Sequence, residues 1–127
     1  DAGDELVAIG NYSEKTGFDV MQRWLGAGDP PRAVFCGSDA IATGALLALY
    51  KAALAVPDAV AIVGFDDVPG AQYTAPPLTT IHQPIYEKGV QAADIIIDQI
   101  EGRRRDVVHV RLPADLIVRE SCGAARA

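Results

Sequence analysis

Cysteine is scarce in this chain. Cys36 and Cys122 stand far apart, with no CxxC pair and no nearby histidine, so neither a metal site nor a disulfide framework is indicated. Cys36 falls in an apolar strand pattern and reads as a small core residue. His82 and His109 are not paired at ligand spacing, which argues against zinc. Basic residues are also few, 11 Lys and Arg against 17 Asp and Glu, giving a net charge of −6. A duplex-binding surface needs clustered cations, and Arg103-Arg104-Arg105 is a short run read as a solvated loop. No apolar run approaches the ~18 residues of a transmembrane helix, and no signal-peptide pattern opens the chain. GxSxG, HExxH and phosphate-binding glycine loops are missing too. We therefore expect no catalysis, no cofactor and no metal. The chain starts at Asp1 without an initiator Met, and is expected to be a piece of something longer.

What is present is an alternation of strand and helix signals. "LVAIG" (6–10) is a strand candidate. Ser13 is placed to cap a helix in which Phe18, Met21, Trp24 and Leu25 recur at helical spacing. Gly26 and Gly28 can stop that helix, and Pro30-Pro31 prevents a restart. "AVFCG" (33–37) is the second strand, with Ser38-Asp39 able to cap a helix from Ala40 to about Leu54. Ala40 through Tyr50 of that helix carry no charge, so it needs cover on both sides, and a partner surface is expected there. "VAIVGF" (60–65) reads as a strand buried on both faces, as in a parallel sheet. "PPLTTI" (76–81) leads into a fourth strand. A helix follows from Pro84, with Ile85, Gly89, Ala92, Ala93, Ile96 and Ile100 on one stripe and Gly102 at its end. "VVHVRL" (107–112) and "DLIVRE" (115–120) read as short extended segments. The fold class is α/β, a mostly parallel sheet with helices on both faces.

Ligands of open α/β sheets bind beyond the carboxyl ends of the strands. There the four strands offer, in turn, Asn11, Tyr12 and Ser13; Gly37, Ser38 and Asp39; Asp66 and Asp67; and His82 and Gln83. Asp66 and Asp67 end the apolar run "VAIVGFDDVPG". They begin on opposite faces, so they are not one paired-carboxylate device. One is expected to face the crevice while the other satisfies backbone donors in the turn before Pro69. A carboxylate, the Gln83 amide and the Tyr12 ring suit a neutral polyhydroxylated or heterocyclic ligand. On the residues alone, Asp39 is more often a helix cap than a ligand, and Thr79, Thr80 and Gln72 read as solvated polar positions. A magnesium-dependent receiver-type or phosphotransfer site would draw its acids from Asp39, Asp66 and Asp67. It would also want a phosphate lysine, whereas Lys15, Lys51 and Lys88 fall inside helices.

"IGNYSEKTGFDVM", "AVFCGSDAIATGAL", "VPDAVAIVGFDDVP", "APPLTTIHQPIYEKG" and "LPADLIVRES", in that order, resemble the effector-binding core of bacterial LacI/GalR-family transcription regulators. The resemblance implies a periplasmic-binding-protein-like type I fold and a fragment of its C-terminal subdomain. Residues 1–83 would be that subdomain in part. Residues 84–102 would be a helix that packs on the N-terminal subdomain, with its stripe covered here by another copy. Residues 103–127 would be returning strands and tail. Carried over by position, Tyr12, Ser38, Asp39, Asp66 and Gln83 are implied effector contacts, with Ser38 standing where many members have Asn. Ile41, Ala45, Leu46, Leu49 and Tyr73 are implied dimer-interface residues. The implied partners are a small effector (sugar or nucleobase-like), a second copy as homodimer, and operator DNA through an N-terminal module outside this chain. No membrane partner is implied, and the expected location is the cytoplasm. The competing reading is the C-terminal half of a periplasmic sugar-binding transport receptor.

Overall fold

The computed structural model describes residues 4–124. Its elements run α1 (Glu14–Gly26), β1 (Ala33–Phe35), α2 (Asp39–Lys51), β2 (Ala61–Val63), β3 (Thr80–His82), α3 (Ile85–Ile100) and β4 (Asp115–Ile117), with 3-10 turns at Asp4–Leu6 and Pro69–Tyr73. Two compact units emerge, one of residues up to His82 and from Leu116 onward, the other Gln83–Asp115. The segment 103–115, read from sequence as returning chain, thus sits in the second unit.

Local chemistry sets the helix starts. Ser13 is extended (φ −125°, ψ 156°) and its hydroxyl accepts from the Thr16 N–H at 3.3 Å. Ser38 does the same for α2, accepting from Ile41 N–H at 3.2 Å. Each hydroxyl satisfies one of the donors that a first helical turn leaves free. Gly28 takes φ +89° just after α1, as its position predicts.

In the first unit β1 and β2 are parallel, with Ala33 opposite Ala61, Val34 opposite Ile62 and Phe35 opposite Val63. The ladder continues past the strand ends. Cys36 and Asp39 N–H groups donate to Val63 and Phe65 carbonyls, while Gly64 and Asp66 N–H groups donate to Thr79 and Ile81 carbonyls. The stretch 61–66 is therefore the central strand, and β3 runs parallel beside it through bridges Val63–Thr79 and Asp66–His82. β4 neighbours β3. Met21, Leu49, Val60, Ile62 and Leu78 fill the core.

α1 and α2 approach backbone to backbone. A Cβ on Gly17 would lie 1.9 Å from the Ile41 carbonyl oxygen, and one on Gly44 would lie 1.8 Å from that of Glu14. This close crossing accounts for the small, apolar side of α2 that faces α1. Ala45, Leu46 and Leu49, expected at a dimer interface, are instead buried in the chain's own core, and Ile41 is partly buried against it. α2 leaves Leu47 and Tyr50 exposed along with Thr43 and Lys51, while Tyr73 is 81% exposed.

Two expected strands do not form. Residues 7–10 are irregular, and Ile9 is 96% exposed. Alternating apolar residues make a strand only where a neighbour supplies ladder bonds and a face to bury them, and none among the described residues pairs here. Residues 107–112 are irregular for the same reason, with Val107 and Val110 exposed.

The second unit carries α3, in which no residue is buried. Ile85, Val90, Ile96, Ile97 and Ile100 are all exposed. Gly102 (φ +71°) ends the helix. The arginine run then folds back on its last turn: Arg103 Nε donates to Asp98 at 2.9 Å and also pairs with Glu101, and Arg104 lies 3.7 Å from Asp98. Local acids thus offset most of the charge that the run displays in sequence.

Candidate functional site

The carboxyl ends of the parallel strands bring together Asp39, the turn at 64–68 and the end of β3. Asp39, the first residue of α2, is 1% exposed. Its Oδ1 accepts from the Thr80 hydroxyl at 2.5 Å, and its Oδ2 accepts from the Val68 N–H at 2.9 Å. Burying a carboxylate is tolerable when its oxygens accept hydrogen bonds, and the positive end of α2 favours it further. Glycine at position 64 makes room, since a Cβ there would sit 2.3 Å from Asp39 Oδ1. Asp39 is therefore not the cap, and both its oxygens are engaged within the chain; Ser38 is the cap, and is itself buried. Next to Asp39, burial first and the Asp39 charge second push the Cys36 thiol up to about 12, so it stays protonated as a core residue.

Asp66 and Asp67 form a turn at the end of the central strand rather than a continuation of it. Both have positive φ, +119° and +55°. Asp66 is half-buried, and its N–H holds to Ile81 O at 2.9 Å beside His82. Asp67 is tied to two side chains of the same unit. Its Oδ1 accepts from Arg119 Nη2 at 2.7 Å, and its Oδ2 lies 3.0 Å from His82 Nδ1. The backbone donor of the turn, expected to fall to Asp67, belongs to Asp39. Arg119 is anchored in turn: its N–H donates to Thr79 Oγ1 at 2.9 Å and its Nη1 to Leu78 O at 2.8 Å.

Burial by itself would raise the Asp67 carboxyl. The hydrogen bonds and charges of Arg119 and His82 outweigh it and hold the group below its ordinary value. A carboxylate depressed in the folded state stabilises it above the unfolded-state value, about 3.9. That contribution is lost as pH falls through the lower folded-state value. Urea midpoints measured downward from pH 5 should therefore drop more steeply for the unmodified chain than for Asp67→Asn, whose curve should lack this component.

Tyr12 is 78% exposed, and a Cβ on Gly37 would lie 4.0 Å from its Cε1, so the ring stands over the end of β1. It borders a cleft of about 560 Å³ along the free edge of β1, lined by Ile9, Trp24, Val34, Phe35 and Gly37 among others. Asp66 does not line this cleft. Gln83 opens the second unit, where its Oε1 accepts from Lys88 Nζ at 2.6 Å.

Thr79 and Thr80, read from sequence as solvated, are buried. Sequence reasoning also gave no role to Arg119 or Ser121. Ser121 is buried, with its hydroxyl donating to Ile62 O at 2.6 Å and accepting from Thr79 N–H at 2.8 Å. The quoted segment "VRES" held both residues, but no spacing signal linked them to β2 and β3. Among the described residues, no group of three His, Cys, Asp or Glu side chains can hold a metal ion, and no helix is long and apolar enough to cross a membrane.

Comparison with known proteins agrees with this geometry. The periplasmic binding protein-like domain matches residues 4–122. HTH-type transcriptional repressor MelR of Bacillus subtilis is 41% identical over 119 residues, covering 94% of this chain and 34% of the repressor. A solved transcriptional regulator CelR–cellobiose complex superposes with a TM-score of 0.89 at 34% identity, over 95% of this chain and 37% of that one. The lac repressor dimer bound to operator and the anti-inducer ONPF gives a TM-score of 0.82 at 29% identity, over 89% of this chain and 34% of that one. The chain thus spans about a third of the length of the curated relatives it matches.

Proposed function

Because the chain belongs to the periplasmic-binding-protein-like family, in the form found in LacI-type transcriptional regulators, we propose that it is part of the effector-binding core of such a regulator. It takes a small polar ligand, a sugar foremost, at the carboxyl ends of its parallel strands. The observation that carries this reading is Asp66, held at the end of the central strand, while the carboxylate of its neighbour Asp67 is taken up by Arg119 and His82. Of the two acids it is then Asp66 that meets ligand hydroxyls. Tyr12 is the aromatic contact and Gln83 an amide contact carried over by resemblance, while Ser38 and Asp39 shape the rim from within. Tyr73 is the exposed self-association contact. The full-length regulator acts in the cytoplasm, and it meets operator DNA through a segment outside this chain. The relatives reported above are transcriptional regulators, which favours this reading over a transport receptor.

Effector binding in such a protein changes operator affinity by a coupling of ~1–3 kcal/mol, and operator changes effector affinity by the same factor. An amide NMR titration of the chain with cellobiose, adenosine and Mg²⁺ tests the ligand class. Shifts confined to the neighbourhood of Tyr12 and Asp66 on adding the sugar or the nucleoside support the proposal. Shifts around the acids with Mg²⁺ alone would overturn it. Asp66→Ala removes charge-assisted hydrogen bonds of about 1.5–3 kcal/mol, so affinity should fall roughly 10- to 100-fold. In the full-length regulator the same substitution should abolish the effector response and spare DNA binding. Equal loss of both would count against the assignment.

A further inference from the structure

The turn after β2 does more than present Asp66. Asp66 and Asp67 both hold positive φ, a region that non-glycine residues rarely adopt. Such a conformation persists where surrounding contacts over-determine it. Here Asp39 fixes the next backbone N–H, at Val68, and the Asp67 side chain is tied on both oxygens.

Those two ties go to particular places. His82 is the last residue of the first unit before the chain leaves it, and Arg119 lies three positions after Leu116, where the chain re-enters. One carboxylate therefore grips both the outgoing and the returning segment. The grip is firm on the Arg119 side, because Arg119 is also bonded to Thr79 and Leu78. It is lighter on the His82 side, whose side chain is 50% exposed against 17% for Asp67. A carboxylate only accepts, so His82 Nδ1 is the donor in this contact.

We propose that Asp67 is a positioning residue that joins the ligand-facing turn at Asp66 to the outgoing segment at His82 and the returning segment at Arg119. This deepens the reading of Asp66 as the ligand contact and rests on it for its functional meaning. A ligand that pulls on Asp66 moves a turn with little freedom of its own. The displacement passes to the next residue and from there to both segments at once. Neither Tyr12 nor Asp39 has that double attachment: Tyr12 stands at the β1 end, and Asp39 holds Val68 and Thr80.

The test is a double-mutant cycle in the 127-residue chain, read by NMR at the His82 ring nitrogens. Asparagine is the replacement at position 67 because it tolerates the left-handed backbone and removes the carboxylate alone. Arg119→Gln should change the His82 ring-nitrogen signals, and that change should vanish when Asp67→Asn is already present. Asp66→Asn should move the His82 and Arg119 signals together, again only while Asp67 is intact. Should Arg119→Gln fail to fold, the cycle runs from the other side, with His82→Gln read at the Arg119 guanidinium signals. The proposal is overturned if the changes persist undiminished in the Asp67→Asn background, or if neither partner senses the other. A purely structural role would lower the unfolding midpoint without this dependence on Asp67. The outcome is independent of whether cellobiose binds. A failed sugar titration with an intact cycle removes the ligand assignment and leaves the coupling standing.

Discussion

Gly44→Ala is expected to cost the first unit about 3 kcal/mol, the upper end of what overpacking usually costs. The added methyl would sit 1.8 Å from the Glu14 carbonyl oxygen and 2.9 Å from Phe18 N, and both are backbone atoms of α1. A flexible side chain can swing aside, but a helix backbone gives way only by shifting as a whole. Gly17→Ala pushes the same crossing from the other side, against Ile41 O at 1.9 Å. Alanine favours a helix interior by about 1 kcal/mol over glycine, which offsets part of the loss. Gly89→Ala supplies the control. It lies inside α3 with nothing within 4 Å of its Cβ, and should stabilise that helix by roughly 0.5–1 kcal/mol. Urea unfolding followed by circular dichroism separates the cases. A Gly44→Ala midpoint equal to that of the unmodified chain would show that the helices do not cross this closely.

The second large effect belongs to Asp39. Asp39→Ala strips the acceptor from the Val68 N–H and from the Thr80 hydroxyl, and Thr80 is fully buried. A buried polar group left without its partner costs about 1–3 kcal/mol. With the Thr80 hydroxyl buried and the Val68 N–H only partly so, the expected loss is about 2–4 kcal/mol, and amide exchange at Val68 should lose its protection first. Asp39→Asn keeps an acceptor oxygen for one of the partners and should lose about half as much. The double variant Asp39→Ala/Thr80→Val should be less damaged than the sum of its parts, since the hydroxyl no longer needs an acceptor. Protection at Val68 unchanged in Asp39→Ala would disprove the clamp.

Local signals were legible and distant ones were not. The α1 and α2 starts could be read because Ser13 and Ser38 act on residues three positions away. The parallel pairing of β1 and β2 followed from two apolar runs separated by a helix, whereas β3 runs beside β2 with only a 3-10 turn between them. Asp39 meets Thr80 across 41 residues and Asp67 meets Arg119 across 52, and no periodicity spans such distances. Hence the threonines looked solvated, and Asp39 looked like a cap or a ligand contact. The uncharged α2 was read as a helix needing cover on both sides; α1, which the glycines admit, covers one side, while Leu47 and Tyr50 stay exposed. That signal was available: a glycine kept inside a helix at a cost of ~1 kcal/mol often marks a close approach. Leu6–Gly10 shows the opposite error, a strand pattern with no described strand pairing to complete it.

Ser121 stands between Ile62 and Thr79 like the last stone of an arch. In a chain made from its N-terminus α1, β1, α2 and β2 precede β3, α3 and β4, and the central strand acquires its Ser121 bonds only after these have followed. During synthesis the first unit therefore waits, with Ile62 lacking its final partner, while the whole of Gln83–Asp115 emerges. Contacts of such sequence separation form slowly, and exposed apolar strands are prone to aggregate while they wait. Between the making of Ile62 and that of Ser121, 59 positions on, β2 lacks both of its bonds to Ser121.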